Sequence, residues 1–299
     1  MNGAKLKEIR DVLGDPYCEG RGFLIYNGDC LESLGSIPDG FFNLTVTSPP
    51  YNIGKEYERV VPVNEYIDWC EEWVKEIHRT TVTDGALLLN LGYLSLPGTA
   101  KAIPIPYLLW DRVPFYLIQE IVWNYGAGVA GRKFLSPRNE KFLWYVKDEN
   151  NYVFNLDDIR DPDVKYPNQK KNGKLRCNTI GKNPSDVWRI AKVTSGEKRA
   201  SKERAPHPAQ FPRDLVDRII KGFSNEGDLV LDPFIGSGTT AESCIAHGRY
   251  VLGFEINPDY CKYIDQRLRE FVFDVMDKRE VNEQGQSVEV EKVEQIGLY

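Results

Sequence analysis

The sequence predicts an α/β fold built on a parallel sheet covered on both faces. Three observations carry this expectation. Short apolar runs alternate with stretches whose apolar residues recur at helical spacing. Residues 228–255 make one complete strand–loop–helix–strand unit. The 299 residues, 41% of them hydrophobic, suffice for one large core and a small accessory module.

Residues 1–20 form a polar lead-in with room for one short helix. Phe23-Leu24-Ile25-Tyr26 is a strand, stopped by the turn signal Asn27-Gly28-Asp29. Asp29 sits where open α/β sheets touch ligands, and where an Asp also caps a turn. Phe41 to Val46 is a buried strand. Asn52 to Val63 is polar and is expected to be a mobile loop. Tyr66, Cys70, Trp73, Val74 and Ile77 fall on one helical face that should end near Thr83-Asp84-Gly85. Trp69 and Trp73 belong to a packing face. Ala86 to Leu91 is a continuous apolar run that suits a buried parallel strand. Residues 103–115 carry three prolines and a short helix. Leu117 to Trp123 and Lys141 to Lys147 are further strands, with Gly126, Gly128 and Gly131 marking a flexible connection between them.

Residues 150–204 change character. Asn, Lys, Gly and Pro dominate, and Val187-Trp188-Arg189-Ile190 is the hydrophobic island. A structureless loop of this length is improbable inside a compact domain, so the segment is expected to be a small module with Trp188 in its core. Periodic structure then resumes. Leu215, Val216, Ile219 and Ile220 share a helix face, 228–232 is a strand, 239–247 a helix, 250–255 a strand and 258–276 the last helix. Residues 277–299 have the composition of a polar tail.

The net charge of −6 hides an asymmetry. Lys165 to Arg204 holds twelve Lys/Arg against three acids, whereas Glu270 to Tyr299 holds eight acids against three bases. A basic segment in an acidic protein is a candidate phosphate footprint. No run approaches the roughly 18 apolar residues of a membrane span, and Met1 to Arg10 lacks the apolar core of a signal peptide. The six cysteines are scattered with no CxxC pair, so neither zinc nor a disulfide framework is expected. Cys30 and Cys244 are expected to be small buried hydrophobes.

Two stretches carry chemistry. In Thr47-Ser48-Pro49-Pro50-Tyr51-Asn52, two prolines stop a strand and fix the backbone. The result is a rigid strand end offering a hydroxyl, carbonyls and a flat ring, a receptor for a planar group with an exocyclic amine. In 228–255, a Gly-Ser-Gly loop lets a ligand approach the backbone, and Glu255 ends the next strand nineteen residues after Gly236. A carboxylate there can accept hydrogen bonds from ribose hydroxyls. The loop is neither GxGxxG nor a Walker A sequence. Among common nucleoside cofactors that leaves S-adenosyl-L-methionine, which has no pyrophosphate.

Ser48-Pro49-Pro50-Tyr51 first, His207-Pro208 later, and Asp232-Pro233-Phe234-Ile235-Gly236-Ser237-Gly238-Thr239-Thr240 last resemble the β group of amino-group DNA methyltransferases of bacterial restriction–modification systems. The resemblance runs from about Tyr26 to Phe271. It implies a Rossmann-like S-adenosylmethionine-dependent sheet, circularly permuted, with a small target-recognition module. Residues 20–149 would be the catalytic half, 150–204 the recognition module and 205–276 the cofactor half. Ser48, Pro49, Pro50 and Tyr51 would be catalytic. Asp29, His207, Phe211, Asp232, Pro233, Phe234, Gly236, Gly238, Thr239, Thr240, Glu255 and Asn257 would hold S-adenosyl-L-methionine. Asn139 to Trp144 would be a late strand beside the base pocket. Lys165, Lys170, Lys171, Lys174, Arg176 and Lys182 would bind double-stranded DNA, with no metal required. Ser48 points to N4 of cytosine, since Asp is more usual at this position in adenine-N6 enzymes; adenine N6 is the alternative. RNA and protein-glutamine methyltransferases commonly carry Asn there, and a non-catalytic DNA-binding descendant would not need both motifs intact. The resemblance also implies a bacterial or archaeal cytoplasmic setting and leaves room for a cognate restriction endonuclease and a homodimer.

Overall fold

The computed structural model describes residues 2–126, 128, 130–194 and 201–280. The predicted tail beyond residue 280 lies outside the described residues.

The polar lead-in forms α1 (Asn2–Leu13), which buries Leu6 and Ile9. Strands β1 (Cys18–Gly20) and β2 (Phe23–Asn27) make an antiparallel pair. Helix α2 (Cys30–Leu34) begins at Asp29, whose carboxylate accepts the Leu31 N–H at 2.9 Å. Strand β3 (Phe42–Thr47) leads to the double proline, and α3 (Val63–Thr80) follows. All five apolar residues placed on one face of α3 are buried.

Helix α3 ends at Thr80, earlier than the sequence predicts, and passes straight into β4 (Thr81–Leu91). A register shift opposite Phe42 and Leu44 absorbs the residues expected to form a turn. Helical periodicity alone does not mark that change. A hairpin of β5 (Tyr93–Leu96) and β6 (Ala100–Pro104) precedes the short α4 (Ile105–Leu108). Strands β7 (Tyr116–Asn124) and β8 (Asn139–Val146) pair antiparallel. Beyond them lie the small hairpin β9 (Lys170–Lys171) and β10 (Lys174–Leu175), then β11 (Val187–Arg189). The chain closes with α5 (Arg213–Phe223), β12 (Leu229–Asp232), α6 (Thr239–Ala246), β13 (Tyr250–Glu255) and α7 (Pro258–Glu280).

Nine strands form one sheet in the order β1-β2-β13-β12-β3-β4-β8-β7-β11. The five from β2 to β4 are mutually parallel, as predicted. Strand β8 runs against both of its neighbours, so the sheet is mixed. Strand direction leaves little trace in an apolar run buried on both faces. Alternate residues feed two cores. Leu24, Leu87 and Leu89 point to the α1–α3 side, while Ile25, Leu88 and Trp144 point to the α5–α7 side. Cys30 and Cys244 are buried as expected.

The hydrophobic island of 150–204 does not make a core of its own. Strand β11 adds to the sheet edge beside β7, and Trp188, 3% exposed, joins the α5–α7 core. Asn155 ties the start of the segment to α5 through its backbone N–H, at 2.8 Å from the Gly222 carbonyl. Trp188→Ala is therefore expected to destabilise the whole fold by about 3–5 kcal/mol, read as a fall in the global urea midpoint.

Candidate active site

Strands β3 and β12 lie side by side at the centre of the sheet, but their following helices pack on opposite faces. Helix α3 belongs to one core and α6 to the other. This divergence opens a crevice at the carboxyl ends of the strands, where open α/β sheets bind ligands. A cavity of about 680 Å³ fills it. Ser48, Pro49, Pro50 and Tyr51 line one part and Gly236, Ser237 and Glu255 another. The two motifs that the sequence separates by almost two hundred residues thus share one chamber.

At the double proline, Tyr51 donates its hydroxyl hydrogen to Asn90 Oδ1 at 2.6 Å. The Asn90 amide is oriented by its own N–H on the Lys141 carbonyl at 3.1 Å. Ser48 Oγ lies 2.9 Å from the Tyr51 oxygen and 3.3 Å from Asn90 Oδ1. The Ser48 hydrogen is therefore spent inside this cluster, and its lone pairs are left for a donor in the cavity. Burial, then the Glu140 carboxylate, push the Tyr51 phenol well above its usual range, so it stays neutral. Glu140 Oε2 lies 3.4 Å from that hydroxyl, and Glu140 Oε1 pairs with Lys192 Nζ at 2.5 Å. Tyr66 fixes the turn from below, donating to the Pro50 carbonyl at 2.8 Å.

The segment expected to be a mobile loop is pinned. Asn52 has φ 60°. The Glu58 carboxylate accepts the N–H groups of Asn52, Ile53 and Lys55, and Asn52 exchanges two hydrogen bonds with Val61. Polar composition alone did not reveal that these partners close on one another.

In the glycine loop, Gly236 (φ 54°) and Gly238 (φ 80°) adopt left-handed backbone that favours glycine. His207 covers Gly236 so closely that an added Cβ would lie 3.0 Å from its ring. The His207 ring stacks on Tyr57 at 5.6 Å and meets Tyr260 edge-on at 4.7 Å. Burial holds its pKa down at about 4, so this wall is neutral and does not repel a cation. Asp232 is enclosed and accepts hydrogen bonds from Thr47 at 2.9 Å, Thr240 at 2.6 Å and the Phe234 N–H at 3.2 Å. Burial lifts its pKa to about 6 against those donors. Glu255 accepts the Gly236 N–H at 3.0 Å and the Asn257 N–H at 2.8 Å, and burial lifts it to about 7. Its remaining lone pairs can meet two hydroxyls.

Asp29, His207, Phe211, Asp232, Pro233, Phe234, Gly236, Thr239, Thr240 and Glu255 all reach the cavity wall. Gly238 does not: it turns toward Ile264, and its part is conformational. Asn257 does not either; its side chain caps α7 by accepting the Asp259 N–H at 2.9 Å. The cavity and its chemistry suit a nucleoside carrying a positively charged group. Glu255 would face the hydroxyls, aromatic rings the remainder.

None of the six basic residues proposed for DNA lines the cavity. Lys170, Lys171 and Lys174 stand exposed on the β9–β10 hairpin. Lys182 pairs with Asp161 at 3.1 Å, Lys165 lies over the Tyr166 ring, and Arg176 donates to Gln169. Wall residues missed in the sequence are Asn90, Lys192, Trp123 and Trp69, while Glu140 reaches the wall from the Asn139–Trp144 strand expected beside the base pocket. Asn90 carried a usable signal, an amide inside the apolar run Ala86 to Leu91. Trp69, assigned only to packing, lines the cavity and contacts Phe234. Among the described residues no group of three or more His, Cys, Asp or Glu could hold a metal ion, and no helix is long and apolar enough to cross a membrane.

The family model of N6/N4 DNA methylases matches residues 42–266. The type II methyltransferase M.ScaI of Streptomyces caespitosus is 60% identical over 256 residues, which span 86% of this chain and 84% of that protein. Among solved structures, the PvuII DNA methyltransferase, described as cytosine-N4-specific, superposes with a TM-score of 0.67 at 21% identity, covering 88% of this chain and 94% of its own. TTHA0409 of Thermus thermophilus, solved complexed with S-adenosyl-L-methionine, gives 0.58 at 22% identity over 83% and 93% of the two chains. These two likenesses speak for the fold, with its Rossmann-like sheet, and the family match for more. With the glycine loop and the double-proline turn in one chamber, the chain belongs to the amino-group (N6/N4) DNA methylases of the restriction–modification type.

Proposed function

We propose that this protein is a site-specific DNA methyltransferase that moves a methyl group from S-adenosyl-L-methionine to N4 of a cytosine flipped out of the duplex. The observation that carries this reading is the single cavity joining Ser48–Tyr51 to Gly236 and Glu255. The cofactor supplies an electrophilic methyl group on a sulfonium. The chain does the rest. Ser48 Oγ and the Pro49 carbonyl accept hydrogen bonds from the two amino hydrogens, which draws the nitrogen lone pair out of conjugation and steadies its developing charge, and the methylated nitrogen returns to neutrality by releasing one of those protons to solvent. The rigid turn aligns that nitrogen for in-line displacement. Tyr51 supports the extruded ring, whose unstacking costs about a few kcal/mol. Glu255 holds the ribose, and neutral His207 walls the cationic end.

Cytosine is favoured because a neutral hydroxyl stands at position 48, where adenine-N6 relatives more usually carry Asp. The test is to incubate the protein with a mixed genomic DNA and labelled cofactor and to identify the modified nucleosides by mass. N4-methylcytosine is expected; N6-methyladenine alone would overturn the choice of base, and no labelled nucleoside would overturn the activity. Single-molecule sequencing of the same DNA maps the site. In this reading the mark shields host DNA in the cytoplasm from a cognate endonuclease cutting at that site; a homodimer is not required by it.

The basic segment is assigned to the DNA backbone. Reversing Lys170, Lys171 and Lys174 to Glu is expected to weaken binding and to reduce the slope of log K against log salt by about 3. Duplex binding titrated across salt concentrations checks this; an unchanged slope would make the hairpin a solvated surface.

A further inference from the structure

The turn between β7 and β8 holds a side chain that the fold has no use for. Among the described large hydrophobic residues, Leu135 is the most exposed at 94%. The neck of the turn is closed where the Tyr125 N–H donates to the Arg138 carbonyl at 3.0 Å. Above it the Gly131 N–H donates to Ser136 Oγ at 3.0 Å. Phe134 folds back over Gly131, where an added Cβ would come within 3.0 Å of the ring, and Lys101 Nζ sits 4.7 Å from the ring centroid. The contact of Phe134 with Gly131 and the Gly131–Ser136 bond tie residues 131–136 to one another, and Leu135 projects from them.

Charge and position name its occupant. Residues 126–139 contain no acid, and Arg132, Lys133 and Arg138 flank the apex. Arg132 and Lys133 are exposed. The turn springs from the strand ends that carry Trp123 and Glu140, both on the cavity wall. Leu135 is five residues from Glu140, at most about 18 Å of extended chain. An apolar tip inside a basic collar, beside a chamber that must receive an extruded base, fits a nucleic-acid duplex.

We propose that Leu135 is the wedge that enters the base stack and occupies the gap left by the flipped nucleotide, with Arg132 and Lys133 seated on the flanking phosphates. This rests on the methyltransferase reading above. Apolar side chains inserted between base steps stabilise unstacked DNA, and the need for them disappears when the target base is already unpaired.

The experiment uses the full-length protein and duplexes containing the mapped site, with 2-aminopurine at the target position to report extrusion by fluorescence. A parallel set keeps the natural base for methylation, either paired or mismatched. Leu135→Ala is expected to cut both the fluorescence gain and the methylation rate about tenfold on the paired target. On the mismatched target it should stay within about twofold of wild type. Leu135→Phe, which keeps an apolar bulk, should retain activity on both. Cofactor binding by calorimetry and thermal unfolding should not change in either variant. Equal activity of Leu135→Ala and wild type on the paired target, or an equal loss on both targets, would overturn the wedge alone. A wild-type protein that methylates no DNA would overturn the underlying reading, and the wedge with it.

Discussion

Ser48→Ala is expected to lower the turnover number about 10²–10³-fold, the scale seen when one preorganised hydrogen-bonding group is removed from a charge-developing centre. The cause is specific. Tyr51 has committed its hydrogen to Asn90, and Ser48 commits its own within the same cluster, so Ser48 meets the cavity as an acceptor. Alanine deletes that acceptor and leaves the turn, which is held by Pro49, Pro50 and the Tyr66 bond to the Pro50 carbonyl. Cofactor affinity should remain within about twofold, because no bond of Ser48 reaches the glycine loop. Single-turnover methylation beside cofactor calorimetry checks both halves. A fall in cofactor affinity matching the fall in rate would show that Ser48 supports the cavity and does not act on the amine.

Glu255→Gln is expected to weaken cofactor binding about 10–100-fold, the worth of hydrogen bonds to a charged acceptor. Glutamine also places its N–H₂ against one of the two N–H groups, of Gly236 or of Asn257, that now donate to separate oxygens of the carboxylate. The same residue predicts a pH dependence. Burial raises the folded-state pKa to about 7, and ribose hydroxyls bind best to the ionised form. Affinity should therefore rise with pH through about 7 and then level, being about tenfold weaker one unit below the midpoint. Stability of the unliganded protein moves the other way. The unfolded glutamate ionises near about 4.3, so the contribution favouring the fold is present below that and lost as pH rises through about 7. Asp232, raised to about 6, adds a loss of the same sign, from about 3.9 upward. Calorimetry and thermal melts across pH 5.5–8.5 separate the two trends, and a flat affinity profile in wild type would remove Glu255 from the cofactor contact.

How far the sequence reached depends on which physics each feature uses. The glycine unit was legible because strand, loop and helix are consecutive and every signal in them is local. Helix α3 was legible face by face for the same reason. The antiparallel β8 was not, since Phe142 to Val146 is as apolar as the strands of the parallel block and direction is decided by the connection. The β5–β6 hairpin was hidden by Pro104 and Pro106. Trp188 was recognised as core but given the wrong core, because its strand partner Trp123 and the α5 residues of the core it joins lie on distant parts of the chain. In the site, Ser48 and Glu255 stood out at strand ends, while Glu140 and Lys192 are ordinary charges until folding puts 2.5 Å between them.

The bond from Thr47 to Asp232 spans 185 residues, and it sets a schedule. The double-proline turn leaves the ribosome first, and β12, β13 and Glu255 follow about 180 to 205 residues later. At about 5–20 residues per second the half-made sheet waits roughly 10–40 s with one edge of β3 unpaired. A nascent chain in that interval carries the double-proline turn without the glycine loop, so the cavity that joins them has not formed. It is also the species most exposed to aggregation, because the pairings made by β12 and β13 at the centre of the sheet become available only late. The complete cavity thus appears in one step, late, when both motifs have been translated.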